Sequence, residues 1–158
     1  MKNTHFKAAF SAGLLGGILL VLIQMVFIPL VSSIDAMEFP TLIAGLVINE
    51  TAADVAILLV GMVLPVLVSG LISLFIAWIP DTWYRWSMLP VGFMLGTAVF
   101  ILYFILYVSV HDQVTTGLNF YQYMAFLAYG VLVSFAYHAM IKPKYDQGDE
   151  LYTGYLRD

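Results

Sequence analysis

The sequence has no cysteine and very few charged residues. Without cysteine, the chain cannot form disulfides or thiolate metal sites, and cysteine nucleophiles and thiol redox chemistry are excluded. Charged residues occupy 10% of its 158 positions, whereas a soluble domain carries roughly 25%. Because 62% of the residues are hydrophobic, the chain cannot cover a water-exposed surface. A lipid bilayer is therefore its natural solvent.

Four stretches contain no Asp, Glu, Lys or Arg, and each is long enough to cross a bilayer as a helix. A hydrocarbon core of about 30 Å requires about 20 helical residues, and backbone groups within lipid must bond inside the segment. Strands of a membrane barrel would be shorter and would alternate in polarity. We therefore predict an all-α integral membrane protein with a single domain and four transmembrane helices, spans 1 to 4, at about residues 8–31, 55–79, 87–110 and 119–141.

The basic residues all fall on one side of the membrane when four spans are threaded through it. They are Lys2, Lys7, Arg85, Lys142, Lys144 and Arg157. The opposite side carries acidic residues and no basic one. Because cytoplasmic loops carry an excess of Lys and Arg, we expect a multi-pass protein of the cell membrane with both termini in the cytoplasm.

The stretch from Trp78, at the end of span 2, to Trp86, just before span 3, contains every tryptophan of the chain within nine residues, together with a tyrosine and an arginine. Trp and Tyr rings concentrate at the level of the lipid headgroups. We interpret Trp78, Trp83, Tyr84, Arg85 and Trp86 as interface anchors. Recognition of a partner or of a lipid is the alternative interpretation.

Two segments outside the spans, residues 39–48 and residues 142–158, are predicted to have different structures. The apolar run at residues 39–48 in the first outer loop is too short to cross, so we predict a short interfacial helix with Pro40 in its first turn. A re-entrant segment is the alternative. The polar residues 142–158 are expected to form a cytoplasmic tail, either disordered or docked, because the sequence Lys142-Pro143-Lys144 should stop the last helix.

Each span carries a stripe of small or weakly polar residues, which lets helix backbones approach closely. We predict helix packing at Gly13, Gly17, Gln24, Gly61, Pro65, Ser69, Gly92, Gly96, Tyr103, Gly130 and Ser134. One contact can be specified further. Pro65 cannot donate to the Gly61 carbonyl, and Gln24 lies at a similar depth, so its amide is expected to donate to that carbonyl. Bonding of Gln24 within its own helix is the alternative.

The spans contain few side chains that could act in catalysis, ion transport or cofactor binding. Ionisable side chains inside spans mark ion paths, and here only His138 lies within one, near its cytoplasmic end. We find no nucleophile motif, phosphate loop or basic patch, so we expect no enzyme activity, metal site, cofactor or nucleic-acid partner. His138 and His111 are the candidate cofactor ligands: a haem held by His138 and His5, or one histidine shared with a partner's cofactor, is the alternative.

Abundant packing surfaces and the lack of catalytic groups favour a non-catalytic accessory subunit of a larger membrane complex. Its partners would be the lipid bilayer and other membrane subunits, with respiratory or photosynthetic electron transfer as the candidate setting. The alternative is a small transporter or channel for a neutral solute, with a pore formed between copies. Such a homo-oligomer should bring polar side chains together at a cavity near the midplane.

Overall fold

The computed structural model describes residues 2–32, 35–48, 54–78, 88–110 and 120–154. Every regular element within these ranges is helical. Four of the helices are long and apolar enough to cross a membrane, and together they indicate a multi-pass membrane protein. The predictions of an all-α fold and of four spans are therefore confirmed.

The first two spans each contain one irregular segment. Span 1 consists of an α-helix, Lys2–Leu22, a π-helical turn, Ile23–Phe27, and a final α-helical turn, Ile28–Val31. The wider turn comes just before Pro29, whose ring nitrogen has no hydrogen to donate. Span 2 consists of the α-helix Asp54–Ser73, with Pro65 inside it, and a 3₁₀ segment, Leu74–Trp78.

Spans 3 and 4 are regular α-helices, Met88–Val110 and Phe120–Gly154. The expectation that the last helix stops at residues 142–144 is wrong, because the helix continues through Pro143. The apolar part of this helix ends at Ile141. Pro143 leaves the carbonyl of Ala139 without a donor. Ala139 is exposed and lies two residues before the end of the apolar part, where water can bond to this carbonyl, so the helix tolerates the proline.

The spans pack in the order 2-1-4-3. Span 1 packs against spans 2 and 4, and span 3 packs chiefly on span 4. Spans 1 and 4 therefore lie at the centre and contribute most of the core, including Ala9, Leu20, Tyr129 and Val133. Spans 2 and 3 lie at the two ends of this order, which leaves a gap between them.

The first outer loop contains a short helix, Glu38–Gly45. The Asp35 carboxylate accepts a hydrogen bond of 2.7 Å from the Met37 backbone N–H just before this helix, the pattern of a turn in which an Asp side chain bonds to the backbone two residues on. Its apolar face, including Phe39 and Leu42, is buried. The short helix packs on span 2 and covers one end of the gap between spans 2 and 3.

Candidate functional site

Spans 1 and 2 meet through glycines on one side and serines on the other. A Cβ atom added at Gly17 would lie 2.8 Å from the Cα of Val66, so the two backbones are in direct contact. The Ser69 hydroxyl donates to the Gly13 carbonyl over 2.6 Å, and the Ser73 hydroxyl lies 2.7 Å from the Ala9 carbonyl oxygen. Hydroxyl–carbonyl bonds of this kind join helices in lipid where no water competes.

Spans 3 and 4 meet in the same manner. A Cβ atom at Gly130 would meet the Gly92 carbonyl oxygen and would lie 2.7 Å from the Cα of Gly96. The Ser134 hydroxyl donates to the Met88 carbonyl over 3.0 Å. The atoms facing Gly130 belong to the backbone, so no side chain can rotate away to make room.

Tyr129 links three spans and was not singled out in the sequence. Its hydroxyl lies 2.7 Å from that of Ser69. Because the single Ser69 hydrogen is donated to Gly13, Tyr129 must donate to Ser69. The spacing of residues in the sequence could have pointed to Tyr129. It lies seven residues after Gln122 and three after Phe126, a spacing that marks one face of a helix, and all three side chains are buried.

Gln24 does not make the bond predicted for it. Its side chain is 1% exposed, yet neither amide atom forms a hydrogen bond with any described residue. Gly61 instead contacts the backbone of Pro40, near the start of the short helix. Both expectations for Gln24 are therefore wrong. Gln24 lies one turn before Ile28, which packs against Ala125 of span 4.

Replacing Gln24 with leucine should stabilise the protein by about 1 kcal/mol, because a buried amide without a partner costs about 1–3 kcal/mol. The free energy of unfolding, measured by SDS titration in mixed micelles, provides the test. Ser69→Ala, which removes a bonded hydroxyl, should instead destabilise by about 0.5–1 kcal/mol. Destabilisation by Gln24→Leu as large as that of Ser69→Ala would contradict the structure.

A cavity of about 110 Å³ lies between spans 2 and 3, beneath the short helix. Its walls are almost wholly apolar, with Val68 from span 2, Leu102 from span 3 and Ile43 from the short helix among them. The polar side chains in its lining are those of Ser69, Tyr103 and Tyr129. The cavity is partly open at one side.

The Tyr103 side chain is 4% exposed, and its ring packs against those of Phe39 and Phe126 with centroids 5.8 Å and 5.1 Å away. Its hydroxyl is fully enclosed by the protein. The Gln122 side chain lies beside this hydroxyl, and the Glu38 carboxylate acts on it electrostatically from the short helix. Tyr103 therefore contributes to the wall of the cavity, while its hydroxyl is enclosed beside the Gln122 and Glu38 side chains.

Of the candidate cofactor ligands, the structure describes His5 and His138, and neither lines this cavity. Nδ1 of His5 lies 3.0 Å from the Tyr137 hydroxyl, joining spans 1 and 4 at the end far from the short helix. His138 is half-buried beside Tyr137, and His111 lies outside the described residues. Within the described ranges, no three His, Asp or Glu side chains gather around a point where a metal could bind.

Of the five proposed interface anchors, the structure describes Trp78. Its side chain is 77% exposed, and its ring makes an edge-on contact with Phe6 of span 1 at a centroid distance of 6.5 Å. The first and second spans are therefore joined by aromatic contact at the end that carries the N-terminus. The other four anchors, Trp83, Tyr84, Arg85 and Trp86, lie outside the described residues.

Comparisons of the chain with protein-family models, curated proteins and solved structures found no match. The polar side chains that line the cavity are hydroxyls, and neither serine nor tyrosine exchanges protons readily near neutral pH. Such an arrangement suits binding better than acid–base chemistry.

Proposed function

We propose that the protein is a non-catalytic accessory subunit of a larger membrane assembly, with respiratory or photosynthetic electron transfer as the candidate setting. The observation that carries the proposal is the uneven burial of the spans. In an 18-residue apolar stretch of span 2, 17% is buried within the molecule, against 50% in the corresponding stretch of span 4. Most of the surface of span 2 therefore faces outward, where lipid or a helix of another subunit can pack.

The proposed docking surface is a groove of about 320 Å³ between spans 1 and 2. It is lined by Ile18, Val21, Leu22, Met62, Val63, Val66 and Leu67. At 3.6 residues per turn, the residues of span 2 that line this groove lie on the side opposite those that line the cavity. Parallel rows of aliphatic side chains form a groove that accepts the side-chain ridge of another helix.

The distribution of ionisable groups supports a structural role. Within the apolar spans Thr4–Val31, Asp54–Trp78, Met88–Ser109 and Phe120–Ile141, the His, Lys, Arg, Asp and Glu side chains lie towards the ends, at His5, Lys7, Asp54 and His138. Ion transport and proton transfer normally use such groups near the middle of a span. Packing of subunits needs none.

The proposal includes the orientation. In this orientation, both termini and the loop between spans 2 and 3 face the cytoplasm, and the short helix faces the outer membrane interface. The support is the location of all Lys and Arg residues on one side and the burial of the apolar face of the short helix, with the acidic Glu38 at its start.

A photo-crosslinking amino acid at Val63 tests the docking surface. Its matched control is Ile101 on span 3, since both side chains are 52% exposed. After mild extraction and native mass spectrometry, Val63 should crosslink to an unrelated membrane chain that co-purifies, and Ile101 should not. Crosslinking of both positions to lipid alone, with no co-purifying chain, would overturn the proposal.

A small transporter or channel for a neutral solute is the second candidate, favoured by the three hydroxyl side chains at one cavity. In that case the native mass should correspond to several copies of this chain. Val63 should then crosslink to a second copy, and no unrelated chain should co-purify.

A further inference from the structure

We infer that the short helix is a lid on the cavity between spans 2 and 3, fixed to span 2 and latched to span 3 by a hydrogen bond between Tyr107 and Glu38. When this latch releases, the cavity opens to the end of the bundle that carries the short helix. The inference does not depend on the accessory role, because the proposed docking surface lies on the other side of span 2.

The short helix closes one end of the gap between spans 2 and 3. Its Ile43 lines the cavity together with Leu64 of span 2 and Leu106 of span 3. These side chains are apolar, and so is almost all of the remaining wall. Displacement of the short helix would expose this apolar surface to water, which is unfavourable. The closed position is therefore the resting state of the lid.

The attachment of the lid to span 2 is made by the backbone. A Cβ atom added at Gly61 would lie 2.5 Å from the Cα of Pro40, and the backbones of the short helix and span 2 run close together. Glycine has no side chain that could rotate away, and the ring of proline fixes its φ angle. Span 2 is therefore the side on which the lid is fixed.

The attachment of the lid to span 3 is made by side chains. Tyr103 and Tyr107 lie four residues apart, on one face of span 3. The Phe39 ring packs against the Tyr103 ring with centroids 5.8 Å apart, and the Tyr107 hydroxyl donates to the Glu38 carboxylate over 3.5 Å. Most O–H···O bonds are 2.5–3.0 Å long, so this bond is weak. Because side-chain contacts of this kind break by rotation about single bonds, span 3 is the side on which the lid releases.

The charge of Glu38 also permits release. The segment between Lys7 and Arg85 contains no Lys or Arg, and the groups that face this carboxylate are the hydroxyls of Tyr103 and Tyr107. Asp35, on the turn before the short helix, is exposed and accepts a backbone hydrogen bond. Glu38 is already half-buried rather than enclosed. When the lid moves away from span 3, water can solvate the carboxylate, so opening strands no charge in an apolar environment.

The first test measures how often the cavity opens, with the full chain in phosphatidylcholine nanodiscs. The chain has no cysteine, so Leu106→Cys introduces a single thiol in the cavity wall. It should react slowly with a charged methanethiosulfonate, which does not enter lipid, because the reaction must wait for the lid to open. Tyr107→Phe should raise this rate about fivefold, as expected for the loss of one hydrogen bond.

Ile105→Cys is the matched control, since Ile105 lies at nearly the same depth, is 57% exposed and does not line the cavity. Its rate should be the same with and without Tyr107→Phe. Tyr121→Phe, at an exposed tyrosine near the start of span 4, should leave the Leu106→Cys rate unchanged. Equal rates for the Tyr107→Phe and Tyr121→Phe proteins would overturn the inference, and so would equal acceleration at both thiols.

A double-mutant cycle tests whether Tyr107 acts through Glu38. Glu38→Ala removes the acceptor, and the protein that carries both Glu38→Ala and Tyr107→Phe should react no faster than the faster of the two single variants, because both changes remove the same contact. Multiplication of the two effects would show that these residues do not form the latch. Tyr107→Phe removes only one oxygen, so it remains informative if Glu38→Ala weakens the short helix itself.

The second test establishes the direction of the movement with spin labels at exposed positions. A label at Thr41 of the short helix is paired with one at Val108 of span 3 or at Val55 of span 2, and the distances are measured by electron paramagnetic resonance. Tyr107→Phe should shift the distribution from Thr41 to Val108 towards longer distances and leave that from Thr41 to Val55 unchanged. A shift from Val55 as large as that from Val108 would mean that the lid is not fixed to span 2.

Discussion

Replacement of Gly130 with alanine is expected to lower the free energy of unfolding by about 3 kcal/mol, in the range of severe overpacking. The new Cβ atom would meet the Gly92 carbonyl oxygen and would lie 2.7 Å from the Cα of Gly96. Both belong to the backbone of span 3, so spans 3 and 4 must move apart. Separation would also strain the bond from Ser134 to the Met88 carbonyl.

The measurement is SDS titration of the purified chain, followed by circular dichroism. Gly45→Ala is the matched control, because a Cβ atom there has nothing within 4 Å. That variant should be neutral or gain up to about 1 kcal/mol from its higher helix propensity. Equal stability of the Gly130→Ala and Gly45→Ala proteins would show that spans 3 and 4 are not in backbone contact.

Replacement of Gly61 with alanine should detach the short helix from span 2 and cost about 2 kcal/mol of stability. A Cβ atom at Gly61 would meet the carbonyl group and the Cα of Pro40. Proline cannot change its φ angle to relieve the clash. The short helix must therefore shift as a unit, and its buried Phe39 and Leu42 lose packing.

Hydrogen exchange of the backbone amides from residues 41–45 reports this effect locally. In the Gly61→Ala protein these amides should exchange at least tenfold faster, because a loosened element opens more often. Amides of spans 3 and 4 should keep their wild-type rates. Unchanged protection of the amides at residues 41–45 would mean that Pro40 and Gly61 are not in contact. The short helix would then not cover the cavity between spans 2 and 3.

The presence of four helices long and apolar enough to span a membrane was predictable from the sequence, because hydrocarbon thickness and backbone hydrogen bonding leave few alternatives. Span 2 was expected at residues 55–79 and its helical segments run from Asp54 to Trp78. The short helix was also foreseeable, since residues 39–48 are apolar but too short to cross. The end of span 4 was not, because the solvent around Pro143 decides whether a proline stops a helix.

The candidate site was only partly predictable. Tyr103 and Ser69 were found because they lie on stripes of small or polar residues, but Tyr129 was overlooked beside Gly130. The bond assigned to Gln24 rested on depth alone, and equal depth does not fix which way a side chain points around its helix. The π-helical turn at residues 23–27 further changes that direction, and nothing in the local sequence other than Pro29 marks it.

The sequence by itself determined how many helices cross and which of their faces are small enough for close contact, because both follow from local composition and the bilayer. Only the tertiary structure decided which faces meet. Lipid tails are as apolar as leucine, so burial alone does not choose a neighbour, and pairing depends on detailed backbone fit and hydroxyl–carbonyl bonds. Those contacts give the order 2-1-4-3, which leaves spans 2 and 3 apart and forms the cavity at Tyr103.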